Sequence, residues 1–258
     1  MGQILRTIGF LWNFYDHRGS EFDLQLVGRS ITLMSNHEMR ARKDKDCSMR
    51  SYDVVMEVAG PIALFARPDT GGAPTSYPVP TRSAAKGMFE AIVAHNRAGA
   101  WIEPSHVELC RRAGSPGGAV RFETYVSNYG GPLRKTASVN DDNNMQLHAT
   151  VLVDVCFRLH GAVRGDRQRG GNPRHQLHDM FTRRLAKGQC RHAPALGWRE
   201  FTCDYWGPPR DGWEIDDAAY FEVPSMLESM WSAPIEGLLE SSFRQSVKLE
   251  RGMLHYGG

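Results

Sequence analysis

Basic side chains are concentrated in two parts of this sequence where they would favour a phosphate. In the segment SYPVPTRSAAKGMFEAIVAH, residues 76–95, Arg82, Ser83 and Lys86 lie where a helix is expected to begin. The free N–H groups of a helix N-terminus bind anions, and nearby cations strengthen that preference. Residues 164–191 hold eight Lys or Arg and only two acidic residues. Both features predict a partner that carries phosphate groups.

The opposite charge is also segregated, although the net charge of the whole chain is only +2. Residues 211–240 hold eight acidic residues and no Lys or Arg. Such a segment repels phosphates, so it is expected either at a protein interface or as a cap that avoids the anionic partner.

Two helices are expected to position the basic residues. Pro78 and Pro80 favour an extended entry, Thr81 or Ser83 can cap the helix start, and apolar residues at helical spacing predict a helix over residues 83–95. A second helix is expected after Asn172 and Pro173, which suit the cap and the first turn. Its buried stripe ends near Lys187, and Gly188 follows as a stop signal.

The remaining periodicity predicts strands. Alternating apolar residues mark strands over residues 52–65, 101–110, 119–126, 147–159 and 198–205, and a terminal hairpin over residues 243–256. Residues 127–146 are too polar for a core and lie between strands, so a projecting hairpin is expected there. This order predicts an α+β sheet with helices on one face, for which a ferredoxin-like topology is the most economical.

Three regions differ in composition. Residues 1–50 are predicted to be a leader or a peripheral appendage, with a short amphipathic helix around residues 4–12. Residues 51–206 form the predicted ferredoxin-like domain. Residues 207–258 contain the acidic segment and the terminal hairpin.

Several classes of protein are disfavoured by the sequence. The five cysteines contain no CxxC pair, the histidines lack metal-ligand spacing, and no glycine-rich segment fits a nucleotide-binding loop. We therefore expect no metal and no cofactor. Since no apolar run approaches the roughly 18 residues of a membrane span, a cytoplasmic protein with reduced thiols is expected.

Four separated blocks of the sequence resemble a known family. They are SYPVPTRSAAKGMFEAI, DDNNMQLHATVLVDVCFRLHG, MFTRRLAKGQCRHAPALGWREF and FRQSVKLERGMLHY. In content and order they are similar to the CRISPR-associated Cas family five, in its type I-C (subtype d) branch. The resemblance covers about residues 52–256 and leaves residues 1–50 outside.

The resemblance implies an RRM-like, RAMP-type fold with a β-hairpin thumb at about residues 127–146. It also implies a subunit that grips the 5′ handle of CRISPR RNA in the Cascade surveillance complex, beside a large subunit and a backbone subunit. Target DNA would be met only through that complex. In this branch the subunit also cuts precursor CRISPR RNA without a metal.

The catalytic residues follow from the same resemblance. The family has a lysine-histidine pair at the start of its second helix, where this chain reads NPRHQLH, so Arg174 and His175 match that pair and His178 is the alternative. A tyrosine that some relatives use falls on Val93, which cannot transfer a proton. His95 would replace it only if the helix end shifted by two residues, and Tyr77 is assigned to packing or base stacking.

RNA contacts are expected from the basic residues of the family blocks and of the thumb, since Arg and Lys neutralise phosphates. The candidates are Lys86, Arg134, Lys135, Arg183, Arg184, Lys187 and Arg199. Arg183, Arg184 and Lys187 have a solvated helix face as their alternative, and Arg199 has an ion pair with Glu200.

Three functions therefore compete. The first is an RNA-binding subunit that also processes precursor RNA by metal-independent cleavage to a 2′,3′-cyclic phosphate. The second is a non-catalytic subunit that caps the 5′ handle and docks neighbouring subunits. The third is a free-standing RNA-binding module.

Overall fold

The computed structural model describes residues 14–15, 21–27, 30–35, 52–94, 99–116, 118–129, 145–165, 172–235 and 238–257. Contacts between residues divide the chain into two compact units, residues 1–51 and 52–258. Neither described helix is long and apolar enough to cross a membrane.

The first unit contains strands that the sequence analysis missed. Strands β1 (Phe14–Tyr15), β2 (Glu21–Val27) and β3 (Ser30–Ser35) form an antiparallel sheet in that order. The β2 sequence EFDLQLV alternates apolar and polar residues, which is the signal of a strand. The helix expected around residues 4–12 lies outside the described residues.

The second unit contains nine strands and two helices among its described residues. In chain order they are β4 (Asp53–Ala63), α1 (Arg82–Ile92), β5 (Ala100–Arg112), β6 (Phe122–Tyr129), β7 (Met145–Gly165), α2 (Pro173–Ala186), β8 (Tyr205–Gly207), β9 (Trp213–Ile215), β10 (Phe221–Ile235), β11 (Leu238–Leu249) and β12 (Met253–His255).

These elements form the predicted α+β fold. The main sheet has the order β12-β5-β7-β4-β8, with β6 added to β7 and β9 added to β5, and all of these pairings are antiparallel. The succession β4–α1–β5–β7–α2–β8 is the βαββαβ pattern of a ferredoxin-like domain. Both helices pack on one face of this sheet, where Phe89 of α1 and Phe181 of α2 are 5.7 Å apart between ring centroids.

Strand β7, which the alternation predicts as a strand, lies at the centre of the main sheet. Its residues Ala149, Val151, Val155, Phe157 and Leu159 are all buried. The strand extends beyond the predicted range at both ends, and its first part pairs with β6 down to Tyr129 opposite Met145. This pairing gives the two arms of the hairpin predicted over residues 127–146, whereas its tip, residues 130–144, lies outside the described residues.

A one-residue bulge in β5 changes which side chains face the helices. Pro104 pairs with Gly161 and His106 pairs with His160, so Ser105 is the extra residue. Before the bulge, the even-numbered Ile102 lies near Phe89 of α1, because a side chain at Gly161 would meet both residues. After the bulge, the odd-numbered Val107 and Leu109 are the buried residues.

The bulge therefore turns His106 and Glu108 towards the sheet face opposite the helices, which is called the outer face below. Burial, followed by repulsion from His160 and His255, lowers the pKa of His106 to about 4. The His106 ring is consequently neutral near pH 7.

Helix α1 is shorter than predicted. Thr81 is its N-cap and accepts a hydrogen bond from the Ala84 N–H at 3.2 Å, as one of the two predicted caps. The helix ends at Ile92, because Val93 adopts an extended backbone with φ −134° and ψ 113°. Val93 is also buried at 3% exposure.

The strand predicted over residues 198–205 is wrong. Residues 195–202 form a tight loop with a single bridge between Ala195 and Thr202, and β8 begins only at Tyr205. Gly197 explains the loop: its φ is +96°, and a Cβ there would lie 1.8 Å from the Leu64 carbonyl oxygen. Alternation alone does not reveal this close approach of two backbones.

The terminal hairpin expected over residues 243–256 pairs differently in the structure. The chain does reverse at Arg251 and Gly252, with a bridge between Glu250 and Met253. Beyond that bridge, however, β11 pairs with β10 and β12 pairs with β5. The second half of the acidic segment is thus one arm of a long hairpin, and the C-terminal strand belongs to the main sheet.

The outer face contains a fully buried carboxylate, that of Glu57 on β4. It accepts hydrogen bonds from Arg158 Nε at 3.2 Å, Arg210 Nε at 2.7 Å and the Arg210 N–H at 3.1 Å. Arg210 also stacks on Tyr205, with 3.6 Å between the guanidinium carbon and the ring centroid. A buried carboxylate is tolerated only with such partners, so β4, β7 and the loop after β8 are tied together.

Glu57→Ala should lower the free energy of unfolding by about 3 kcal/mol, because two arginines would lose their buried partner. Urea unfolding of the full chain measures this loss. Glu123→Ala, an exposed carboxylate on β6, is the control and should change stability by less than about 0.5 kcal/mol. An equal loss of unfolding free energy in the two variants would show that the Glu57 hydrogen bonds do not stabilise the fold more than an exposed carboxylate does.

Candidate functional site

The predicted residues Arg174 and His175 lie around Tyr52, the residue that precedes β4. The Arg174 guanidinium carbon is 5.8 Å from the Tyr52 ring centroid, and the rings of His175 and His178 are 5.9 and 5.6 Å from it. Arg174, His175 and His178 all belong to the first two turns of α2. The structure therefore brings both predicted histidines to one place, which is called the Tyr52 cluster below.

Local sequence explains how α2 begins there. Asn172 is the N-cap, its side-chain oxygen accepts from the His175 N–H at 3.4 Å, and Pro173 occupies the first turn. The Asn172 side-chain amide also donates to the Tyr52 hydroxyl at 3.0 Å. One residue thus caps α2 and connects it to the start of β4.

Asp179 lies between the two histidines. His175 Nε2 is 3.2 Å from one carboxylate oxygen of Asp179, and His178 Nδ1 is 3.4 Å from the other. His175 is 55% exposed and His178 is 30% exposed, so both can meet a ligand from solvent. A carboxylate in this position orients an imidazole, because it contacts one nitrogen of the ring and leaves the other for a ligand.

This arrangement suits proton transfer at a phosphodiester. A histidine can accept or donate a proton near neutral pH, and an arginine can stabilise the charge that develops on a phosphorane. Arg174 can supply charge but not a proton, because its guanidinium remains protonated in proteins.

Tyr52 is a site residue that the sequence motifs do not indicate. Its place at the start of a predicted strand carries one signal, since Tyr52 is in phase with the buried residues Val54, Met56 and Val58. That phase places its ring on the helix face of the sheet. Its meeting with Asn172 depends on tertiary structure, however, because 120 positions separate them.

Other candidate catalytic positions are not part of the Tyr52 cluster. Val93 is buried at the end of α1, as described above, and His95 lies outside the described residues. Tyr77 is 1% exposed, and its hydroxyl accepts a hydrogen bond from the Leu227 N–H at 3.1 Å. Burial raises the pKa of Tyr77, so this residue has a packing role.

The phosphate site expected at the start of α1 is already occupied by protein groups. Arg82 pairs with Glu103 and lies 3.9 Å from Glu228, while the Ser83 hydroxyl donates to the Glu228 carbonyl at 2.8 Å. Lys86 lines the same recess, together with Glu90, Glu103 and Glu228. Because these carboxylates repel a phosphate, the structure argues against this part of the prediction and against Lys86 as an RNA contact.

The basic residues of α2 divide into two kinds. Arg183 and Lys187 are exposed. In contrast, Arg184 is half-buried and donates to the Ile92 carbonyl at 2.8 Å. This carbonyl is at the C-terminus of α1, where a cation satisfies a free acceptor and the negative end of the helix dipole. Arg184 therefore has a structural role.

Arg199 lines an open groove of about 470 Å³ beside α1. One wall of the groove is formed by Ala84, Gly87 and Ala91, whose small side chains leave it open. Arg199 is exposed, and no ion pair with Glu200 is formed in the described part of the chain, so the structural alternative for Arg199 is not supported. Arg134 and Lys135 lie outside the described residues.

Comparisons with known proteins agree on one family. A family model for Cas5d, described as a CRISPR-associated protein (Cas_Cas5), matches residues 53–205. The CRISPR pre-crRNA endoribonuclease Cas5d of Thermus thermophilus is 32% identical over 197 residues, which cover 74% of this chain and 78% of that protein. Its counterpart from Mannheimia succiniciproducens is 33% identical over 162 residues, covering 58% and 70%.

Solved structures extend the likeness to the fold. The crystal structure of a CRISPR-associated protein superimposes with a TM-score of 0.55 and 18% identity, covering 80% of this chain and 92% of that chain. A functionally uncharacterized protein from Streptococcus mutans gives a TM-score of 0.56 at 18% identity, with the same two coverages.

The two neighbouring arginines of α2 allow a direct test of their different surroundings. Arg184→Ala should lower the free energy of unfolding by about 1 kcal/mol, because it removes a charged hydrogen bond to the α1 C-terminus. Arg183→Ala should change it by less than about 0.5 kcal/mol. Urea unfolding of both variants measures the difference, and an equal loss in both would contradict the structural role of Arg184.

Proposed function

This chain belongs to the CRISPR-associated Cas5d family, and we propose that it binds CRISPR RNA and cleaves the precursor RNA at the Tyr52 cluster. The two relatives described above are both named CRISPR pre-crRNA endoribonucleases. The observation that carries the proposal for this chain is that His175, His178 and Arg174 converge on one exposed surface at the start of α2.

The cleavage step needs no metal. His175 takes the proton from a ribose 2′-hydroxyl, and the resulting oxygen attacks the adjacent phosphorus. The bond from phosphorus to the 5′-oxygen breaks, and His178 gives that oxygen a proton, which leaves a 2′,3′-cyclic phosphate and a 5′-hydroxyl. Arg174 stabilises the negative charge of the phosphorane between these events.

The contacts around the histidines support this division of roles. His175 is the more exposed of the two, which suits a base that must reach a ribose hydroxyl. Asp179 contacts both rings, so it fixes the orientation of the base and of the acid. Tyr52 is a positioning residue, because its ring packs beneath both histidines and its hydroxyl is held by Asn172.

Binding of the RNA 5′ handle is assigned to the exposed cations near the two helices. Arg183 and Lys187 lie on the same helix as the cleavage site, and Arg199 adds a charge at the α1 groove. Arg134 and Lys135 in the hairpin tip remain predicted contacts. In the cytoplasm, the same subunit would dock a large subunit and a backbone subunit of a surveillance complex.

A non-catalytic subunit is the second candidate function. It is favoured by two substitutions relative to the family pattern, Arg174 in place of lysine and Val93 in place of a tyrosine. Val93 is buried and Arg174 cannot donate a proton, so the histidines alone would have to perform proton transfer. Cleavage of a labelled repeat RNA in EDTA separates the two functions.

His175→Ala should reduce the rate of that cleavage by about 100-fold or more, because general base catalysis contributes about 10²–10⁴. His178→Ala should give a comparable loss through the acid step. The measurement is single-turnover cleavage in EDTA, with the cyclic phosphate identified by mass spectrometry. Gln176→Ala, an exposed neighbour on the same helix, is the matched control.

RNA affinity should stay near the wild-type value in both histidine variants. An unchanged cleavage rate in His175→Ala would refute its role as the base. Absence of cleavage by the wild-type chain, combined with tight RNA binding, would favour the non-catalytic subunit.

Combined substitution of Arg183, Lys187 and Arg199 by alanine should weaken handle binding and flatten its salt dependence. Three lost phosphate contacts would reduce the slope of log K against log salt by roughly 2. Arg184 is left unchanged, since its loss would disturb the fold. Lys248→Ala with Arg251→Asn, on β11 and the turn after it, is the control, and an equal slope change there would indicate only a general charge effect.

A further inference from the structure

Three histidines form a row across adjacent strands on the outer face. His106 on β5 pairs directly with His160 on β7 and with His255 on β12. The His106 and His160 rings are stacked, with centroids 4.1 Å apart, and the His106 and His255 centroids are 5.3 Å apart. Glu108 follows His106 by two residues, so its side chain leaves β5 on the same face.

The ligating atoms of this group converge. One nitrogen of His106, one nitrogen of His160 and one oxygen of Glu108 all lie within 4.8 Å of one another. In a tetrahedral zinc site, with bonds of about 2.0–2.1 Å, ligand atoms are roughly 3.3 Å apart. Because the His106 and His160 rings are stacked, at least one ring would turn about its side-chain bonds so that both nitrogens face the same ion.

The buried edge of His160 faces a carboxylate. Its Nε2 is buried and lies 3.1 Å from Glu108 Oε1. An ion between these two groups would replace this contact and bind both the nitrogen and the carboxylate oxygen.

The arrangement on the strands is also favourable. Two ligands at positions i and i+2 of one strand, with a third directly opposite on the next strand, present three donors to one point above a sheet. Imidazole nitrogens with a carboxylate oxygen are a ligand set that suits Zn²⁺. Arg158, which pairs with Glu108 in the strand register, already has Glu57 as its ionic partner.

We propose that His106, Glu108 and His160 bind a zinc ion on the outer face of the sheet, with water at the fourth position. The ion connects β5 to β7 and sits beside the C-terminal strand β12. This site is separate from the Tyr52 cluster, which belongs to the helix face. The proposal therefore does not depend on the proposed RNA cleavage.

The test uses the full chain after treatment with EDTA and removal of the chelator. Titration with zinc chloride by calorimetry should give one ion per chain, and Co²⁺ should give visible absorption bands of a tetrahedral site. Glu108→Gln and His160→Asn should each weaken zinc binding by about tenfold or more. His148→Ala, an exposed histidine earlier on β7, should bind as the wild type does.

Thermal unfolding and the stoichiometry of zinc binding test the assignment further. Thermal unfolding without metal should show that Glu108→Gln and His160→Asn remain folded, and added zinc should raise the melting temperature of the wild type only. The proposal is overturned if the wild type shows no saturable one-to-one binding. It is equally overturned if His175→Ala with His178→Ala removes the ion while Glu108→Gln retains it.

Discussion

The buried carboxylate of Glu57 constrains the whole second unit. A charge without access to water must be surrounded by cations and donors, so β4 can be central only if β7 supplies Arg158 and the loop after β8 supplies Arg210. The chain after β8 is thereby held against the outer face, with Arg210 stacked on Tyr205. The helix face needs no such arrangement, because its core is apolar and is closed by α1 and α2.

This division separates two kinds of chemistry. The helix face ends in a polar edge where the start of β4 meets the start of α2, and Asn172 joins them through one amide. Side chains at the start of a helix or a strand are less closely packed than those in its middle. The rings of His175 and His178 can therefore be held in one orientation by Asp179 and remain exposed to solvent. The outer face instead offers cross-strand neighbours, which bring side chains together through register.

Sequence patterns predicted the helices and strands better than the tertiary contacts between them. The alternation of β7, the Thr81 cap and the Asn172-Pro173 start were local signals, and each of them is present in the structure. Local patterns could not show that Arg184 reaches the end of α1 or that Gly197 contacts the Leu64 backbone. They also made the histidines look dispersed, because positions 106, 160 and 255 become neighbours only through strand pairing.

The bulge at Ser105 decides on which face of the sheet every later side chain of β5 lies. If Ser105 instead paired with His160 in a regular ladder, the two sides of the strand would be exchanged, so that Val107 and Leu109 would face outward and His106 and Glu108 would enter the apolar core. Deletion of Ser105 would remove the bulge and leave these four side chains on their present sides. A relative without this bulge is therefore expected to be one residue shorter between the positions of Pro104 and His106.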